Sequence, residues 1–310
     1  MSLLLKKEVF FVKFPILFPL LYLTILYSFP SFETQLIFLT ILLLAETHFG
    51  ATWPFFLSKL NFPHIKKNKI SFIYIPVLIT VLCLISFFLI KNLFLLIFFA
   101  ANVYHVTRQS FGITNLYTKD IHQKKFYINS IYIFNFIFFS IAFFRFYIPL
   151  IKYEHLIILN IIIIFLFCVI FLYSIIKFKF SENFLTMVTG ILIFYPVCFV
   201  SNPVHAIIMG VTMHYSQYLY LTNKVINKRE IESQNFVKSN LFKYKFVLTI
   251  LVYSIIMSVL SIFGKNDSET LSSLIIIPIT GQMLHFYLDS QLWKFSESHN
   301  RENILKYLVN

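Results

Sequence analysis

HLIILNIIIIFLFCVIFLYSII, residues 155–176, runs for 22 residues without Asp, Glu, Lys or Arg, between Lys152 and Lys177. A run this long and this apolar reads as a transmembrane helix, because about 20 apolar residues span the hydrocarbon core of a bilayer. Working outward, comparable stretches lie at 10–28, 34–57, 70–90, 92–113, 127–149, 184–200, 203–223, 246–264 and 270–293. The chain therefore reads as all-α, a polytopic transmembrane helical bundle of about ten spans (nine or ten), forming a single integral-membrane domain over 1–310. With 58% hydrophobic and 13% charged residues, the connections leave no room for a soluble domain of useful size.

The opening MSLLLKKEVFFVKFPILFPLLYL puts lysines before an apolar run but offers no small-residue cleavage site, so it reads as a retained first helix. The formal charge of +13 invites a nucleic-acid partner, but the distribution of charge argues against one. Ten spans place both termini on one side, and that side holds most of the Lys and Arg. The other side holds only Lys91, Lys152 and Lys265, while Arg108 and Arg145 fall inside spans. This asymmetry matches the positive-inside rule, with cytoplasmic termini in an inner or plasma membrane and some attraction to anionic headgroups. The longest connection, 223–245, reads as a cytoplasmic loop. The tail at 296–310 reads as a short amphipathic helix with Ile304, Leu305 and Leu308 toward lipid. Cys83, Cys168 and Cys198 fall in apolar runs without CxxC spacing and read as packing residues.

Ionisable groups inside spans cost roughly 2.5–3.5 kcal/mol each on insertion scales, so each calls for a reason. They concentrate in four spans. AETHFGATW carries Glu46 and His48; ANVYHVTRQSFG carries Asn102, His105, Arg108 and Gln109. GVTMHYSQYLYL carries His214 and Gln217, and GQMLHFYLDSQLWKF carries Gln282, His285 and Asp289. All four spans run in the same direction in this topology. At ~1.5 Å rise per residue, the four histidines then lie within about 6 Å of one level, in the cytoplasmic half. Within spans the faces agree: Asn102, His105 and Gln109 fall at i, i+3, i+7, as do Gln282, His285 and Asp289. Glu46 and His48, two apart, point to different sides.

Histidines sharing one depth, each with polar neighbours, suit a metal site with His48, His105, His214 and His285 as ligands. Glu46, Asn102, Arg108, Gln109, Gln217, Gln282 and Asp289 are candidates to orient those rings or to meet substrate. Asp289 has three open roles: ligand, ring-orienting partner, or ion-pair partner of Arg108. Arg108 itself is expected to pair with Glu46 or Asp289. Without thiolates in range, non-haem iron fits best, with zinc or copper as alternatives. His205 reads as an interfacial residue, His64, His122, His155 and His299 as loop or edge residues, and Trp53 and Trp293 as interface markers.

A metal held among helices in one leaflet can meet substrates dissolved in lipid, and iron with an open position can activate dioxygen. ETHFGATW, YHVTRQSFG, MHYSQY and HFYLDSQLW together resemble the histidine-rich integral-membrane non-haem iron oxygenases, and within them the Brp/Blh-type β-carotene dioxygenase group. The resemblance is one of pattern over the spans. It implies that the four histidines bind iron and that the substrate is a carotenoid, acyl chain or other lipid, with an electron donor as a possible partner. The desaturase and hydroxylase boxes HxxxH and HxxHH are absent. The alternative is a multi-pass transporter or a proton or ion pathway built from the same buried polar residues.

Overall fold

The computed structural model describes residues 7–56, 61–232, 236–264 and 272–309. Helix makes up 89% of it and no residue described is in a strand, so the chain is all-α. In chain order the helices are α1 (Leu17–Ser28), α2 (Glu33–Thr40), α3 (Glu46–Gly50), α4 (Thr52–Phe56), α5 (Phe62–Lys67) and α6 (Ile75–Leu89). They continue with α7 (Lys91–Tyr117), α8 (Ile121–Ala142), α9 (Tyr153–Phe178), α10 (Glu182–Leu192), α11 (Pro203–Glu232), α12 (Phe236–Phe263), α13 (Ile276–Leu292) and α14 (Lys306–Val309). Five helical segments are long and apolar enough to cross a membrane: 30–56, 70–89, 121–147, 154–178 and 246–263.

The remaining expected spans depart from simple crossings. The stretch 10–28 is broken: a π-turn, Val9–Lys13, ends at Phe14 (φ −146°, ψ 68°) before α1 begins. Pro15 explains the break, because proline disfavours helical backbone in the residue before it. The stretch 184–200 holds only α10, whose 11 residues reach ~16 Å, about half a hydrocarbon core. Beyond it the chain tightens into a 3₁₀ turn at Tyr195–Cys198, opened by Pro196. The expected loop at 223–245 contains the end of α11 and the start of α12, and its residues 233–235 lie outside the described residues.

The chain divides into two compact units, one formed by the residues up to Ile37 with Val103–Gln217, the other by Phe38–Asn102 with the residues from Tyr218 on. In the first unit α8 packs on α10, and Tyr127, Phe134, Phe138, Phe184 and Met187 are fully enclosed. The Tyr127 hydroxyl accepts from Gln123 Nε2 (2.8 Å) and Ser174 Oγ (3.3 Å), so α8 and α9 are tied at a polar point inside the apolar core. Arg145 Nη1 and Asn160 Nδ2 donate to the carbonyls of Val197 and Cys198, holding the 3₁₀ turn whose own carbonyls lack helical partners. The N-terminal π-turn is held the same way: Ser216, Gln217 and Thr189 donate to the carbonyls of Phe11, Val12 and Lys13.

In the second unit α3 packs on α12, and Gly50 lets them approach: a Cβ there would lie 3.0 Å from the Tyr253 ring. Cys83, Phe87, Phe94, Ile276 and Ile279 form a further core cluster joining α6, α7 and α13. A second π-turn, Ile41–Ala45, runs directly into α3. A π-turn leaves carbonyls out of register with their usual donors. Here Ser254 takes the Leu42 carbonyl, while Thr47 Oγ1 takes those of Leu43 (2.8 Å) and Leu44 (3.0 Å).

The outward sides of α6, α9 and α12 are apolar along their length, with Leu82, Leu89, Phe165, Ile176 and Ile255 exposed. Such faces are far larger than a soluble surface tolerates and suit contact with hydrocarbon. The tail behaves otherwise. Ile304 and Leu308, expected to face lipid, are buried in the protein, and Lys224 Nζ donates to the Leu308 carbonyl (2.9 Å). Its apolar face is spent on packing.

Candidate functional site

Each unit carries one pair of buried histidines. In the first, His105 on α7 and His214 on α11 stand edge to face, ring centroids 5.2 Å apart and planes at 89°. Gln109, one turn beyond His105 on α7, donates from Nε2 to the His214 carbonyl at 3.3 Å. It therefore fixes the α11 backbone at the histidine, whereas the sequence pointed to its orienting a ring. Gln217 departs further, since its Nε2 donates to the Val12 carbonyl at 2.7 Å. It clamps the N-terminal π-turn.

Arg108 forms neither of its expected ion pairs. Its Nη1 donates to Tyr132 OH (3.1 Å), and its guanidinium lies 4.4 Å over the Phe111 ring at an exposed position. An aromatic stack satisfies a guanidinium more weakly than a carboxylate would but keeps it near the protein edge, where hydration remains available.

In the second unit, His48 on α3 and His285 on α13 are fully enclosed, with ring centroids 4.5 Å apart and planes at 69°. Tyr218 packs on both, its ring 4.4 Å from His48 and 5.5 Å from His285. Thr52 Oγ1 lies 2.7 Å from His285 Nδ1 and 2.8 Å from Tyr218 OH. Trp293 Nε1 donates to Asp289 Oδ1 at 2.5 Å, and Asp289 is also hydrogen-bonded to Tyr218. Gln282 turns to Glu46, its Nε2 donating to Oε1 at 3.2 Å, so it does not orient an imidazole. Glu46 and His48 do point to different sides of α3, yet both are buried, because this helix is enclosed all round. Asn102 is half-buried on α7.

The pair spacings test the fit of a metal. With ~2.1 Å from metal to imidazole nitrogen, and rings aimed at the ion, each ring centroid lies roughly 3.2 Å from it. Two rings on one ion then have centroids about 4.5 Å apart for a right-angled pair and about 5.2 Å for a tetrahedral one. The observed 4.5 Å and 5.2 Å fall at these values. Plain edge-to-face packing occupies the same range, and metal analysis separates the two. Buried histidines of this chain could thus in principle hold a metal ion, of a kind that their geometry leaves open.

The other histidines have different employment. His205, expected at an interface, is buried: Nδ1 bonds Tyr22 OH (2.6 Å) and Nε2 bonds Glu33 Oε1 (2.7 Å). His64 and His299 stack face to face, centroids 4.3 Å apart, with His299 Nε2 on Asn61 Oδ1 (2.8 Å). His155 Nδ1 accepts the Lys152 N–H at the start of α9, and His122 is exposed. The three cysteines are free.

Thr52 and the hydrogen-bonding role of Trp293 were not singled out from sequence, and Tyr218 was noted only for its spacing. A signal existed. Thr52, Tyr218 and Trp293 each follow a selected residue (His48, His214 and Asp289) by four positions, one helical turn on the same side. Comparison with protein families, with curated proteins and with solved structures returned no match for the chain.

Proposed function

We propose that this chain is a multi-pass integral membrane protein, both termini cytoplasmic, and a metal-dependent oxygenase acting on a lipophilic substrate. The observation that carries the reading is the pair of fully or nearly fully buried histidine couples, His48 with His285 and His105 with His214, at separations suited to shared coordination. These four histidines are the proposed ligands, and non-haem iron is the proposed metal, ahead of zinc and copper. When bound, such a metal with an open position supplies dioxygen activation. The chain contributes the rest. Enclosed rings exclude bulk water, Thr52 holds the His285 ring, and exposed apolar helix faces place the protein where carotenoids, acyl chains and other lipids dissolve. Reducing equivalents, where the reaction needs them, come from a separate electron donor.

The test begins with anaerobic purification in mild detergent and elemental analysis, repeated for His48→Ala, His105→Ala, His214→Ala and His285→Ala. Near-stoichiometric iron in the parent and its loss in the variants is the expected outcome. Metal far below stoichiometry in the parent, or full retention in all four variants, sinks the proposal. Absorption spectra of the same samples separate haem from non-haem iron. Oxygen uptake with carotenoid-loaded and with acyl-lipid vesicles then sorts the substrate class.

A further inference from the structure

His285 Nδ1, Thr52 Oγ1, Tyr218 OH and the Asp289 carboxyl group form a closed run of hydrogen bonds. The first two contacts are 2.7 and 2.8 Å, and Tyr218 is bonded in turn to Asp289. His285 and Asp289 are four residues apart on α13, so the run leaves that helix through Thr52 on α4, crosses to Tyr218 on α11 and returns one turn later. Each hydroxyl owns a single hydrogen, an indole only donates, and a carboxylate only accepts. Those limits fix the direction. Trp293 Nε1 occupies Asp289 Oδ1 as donor (2.5 Å), and the Tyr218 hydrogen goes to the same carboxylate. The Tyr218 oxygen then accepts from Thr52. With the Thr52 hydrogen spent, its oxygen accepts from His285, which must carry its proton on Nδ1.

We infer that Thr52 and Tyr218 are positioning residues which, anchored by Asp289 and Trp293, hold His285 as the Nδ1–H tautomer and leave Nε2 as its coordinating nitrogen. A metal-binding imidazole is normally set this way, by the bond its other nitrogen donates. The assignment also decides among the three roles open to Asp289: it orients the ring through two hydroxyls. The coordinating half of the inference rests on the metal reading above; the tautomer does not.

The experiment uses the full chain, metal-free, with ¹⁵N-labelled histidine, and reads the His285 tautomer by NMR, its signals assigned by their loss in His285→Gln. The parent should show Nδ1–H. Asp289→Asn reverses the run: Trp293 holds the amide oxygen, the amide N–H₂ then faces Tyr218, and the hydrogens flip back to make His285 the Nε2–H form. Thr52→Ser should keep the parental tautomer and Thr52→Val should lose it. Anaerobic titration with iron(II) should then show affinity lowered about 10–100-fold in Asp289→Asn and near parental in Thr52→Ser. An Nε2–H tautomer in the parent, or an unchanged tautomer in both Asp289→Asn and Thr52→Val, overturns the inference whatever the metal content. A parent in the Nδ1–H form that binds no metal leaves the relay standing and removes the oxygenase reading instead. Should Asp289→Asn fail to fold, the parent and the two Thr52 variants decide.

Discussion

Gly210 offers the sharpest test of the packing that holds His214. It lies on α11 one turn before that histidine, and a Cβ built there would sit 1.8 Å from the Ile193 carbonyl oxygen and 2.8 Å from its carbon. Close carbon–oxygen contacts settle at about 3.3 Å, so Gly210→Ala must open this junction by about 1.5 Å. The obstacle is backbone, in the turn between α10 and the 3₁₀ segment, and cannot swing aside as a side chain would. Overpacking of this sort costs about 1–3 kcal/mol, and the upper end applies where backbone must move. Gly112, on α7, is the control: nothing lies within 4 Å of its Cβ position. Gly112→Ala should be neutral or gain up to ~1 kcal/mol from helix propensity. Side-by-side thermal unfolding in one detergent, with metal analysis, reads both. A clear drop in melting temperature and in bound metal is expected for Gly210→Ala only. Equal melting temperatures for the two variants would refute the close approach of α11 to Ile193.

Three further outcomes follow from single contacts. Gln217→Leu leaves the Val12 carbonyl without its donor, at about 1–3 kcal/mol, and should speed hydrogen exchange in residues 7–28 while metal content holds. His205→Gln loses the ring bonded to both Tyr22 and Glu33, so it should lower stability by a similar amount and leave bound metal unchanged, unlike the four candidate ligands. The stacked His64 and His299 should make the tail acid-sensitive. Burial is the main cause that holds both below the ordinary imidazole value of 6.5, with Glu297 and Lys67 acting on His64, and His64, Arg229 and Glu302 on His299. Because the folded values are lowered, the unfolded chain takes up protons first as pH falls below 6.5. Stability from this contact is therefore full above that pH and lost beneath it. Protease cleavage within 296–309 should accelerate on acidification, and His64→Gln with His299→Gln should flatten the response.

Much of this architecture was legible in the residues. Uninterrupted apolar runs such as 155–176 identify long helices because only helix satisfies the backbone without water. His48, His105, His214 and His285 stood out because an imidazole amid Phe and Leu needs a partner. The partners themselves were less legible. Thr52 and Tyr218 are ordinary in an apolar helix, and nothing in their chemistry separates a relay hydroxyl from a packing one until the neighbouring helix is in place. Gln109, Gln217 and Gln282 were expected near rings, but an amide serves a carbonyl or a carboxylate equally well, and geometry chose those. Arg108 was assigned to a carboxylate on charge alone, whereas Tyr132 and Phe111 lay within its reach. The ends of helices were the hardest to read: Pro15 and Pro196 mark breaks, yet the flanking residues are as apolar as those in continuous spans.

The π-turn at Ile41–Ala45 has a consequence for how this protein tolerates change in length. A helix that carries one residue too many has two independent halves, since the wide turn absorbs the phase difference between them. Deleting one residue from 41–45 would restore uniform winding and leave the outer half undisturbed. It would also swing everything after it by about 100°, turning His48 from Tyr218 and Glu46 from Gln282. Length in this helix is therefore a coordinate of the site. A chain shortened there by one residue would keep its composition, its hydropathy and its histidines, and have them facing the wrong way.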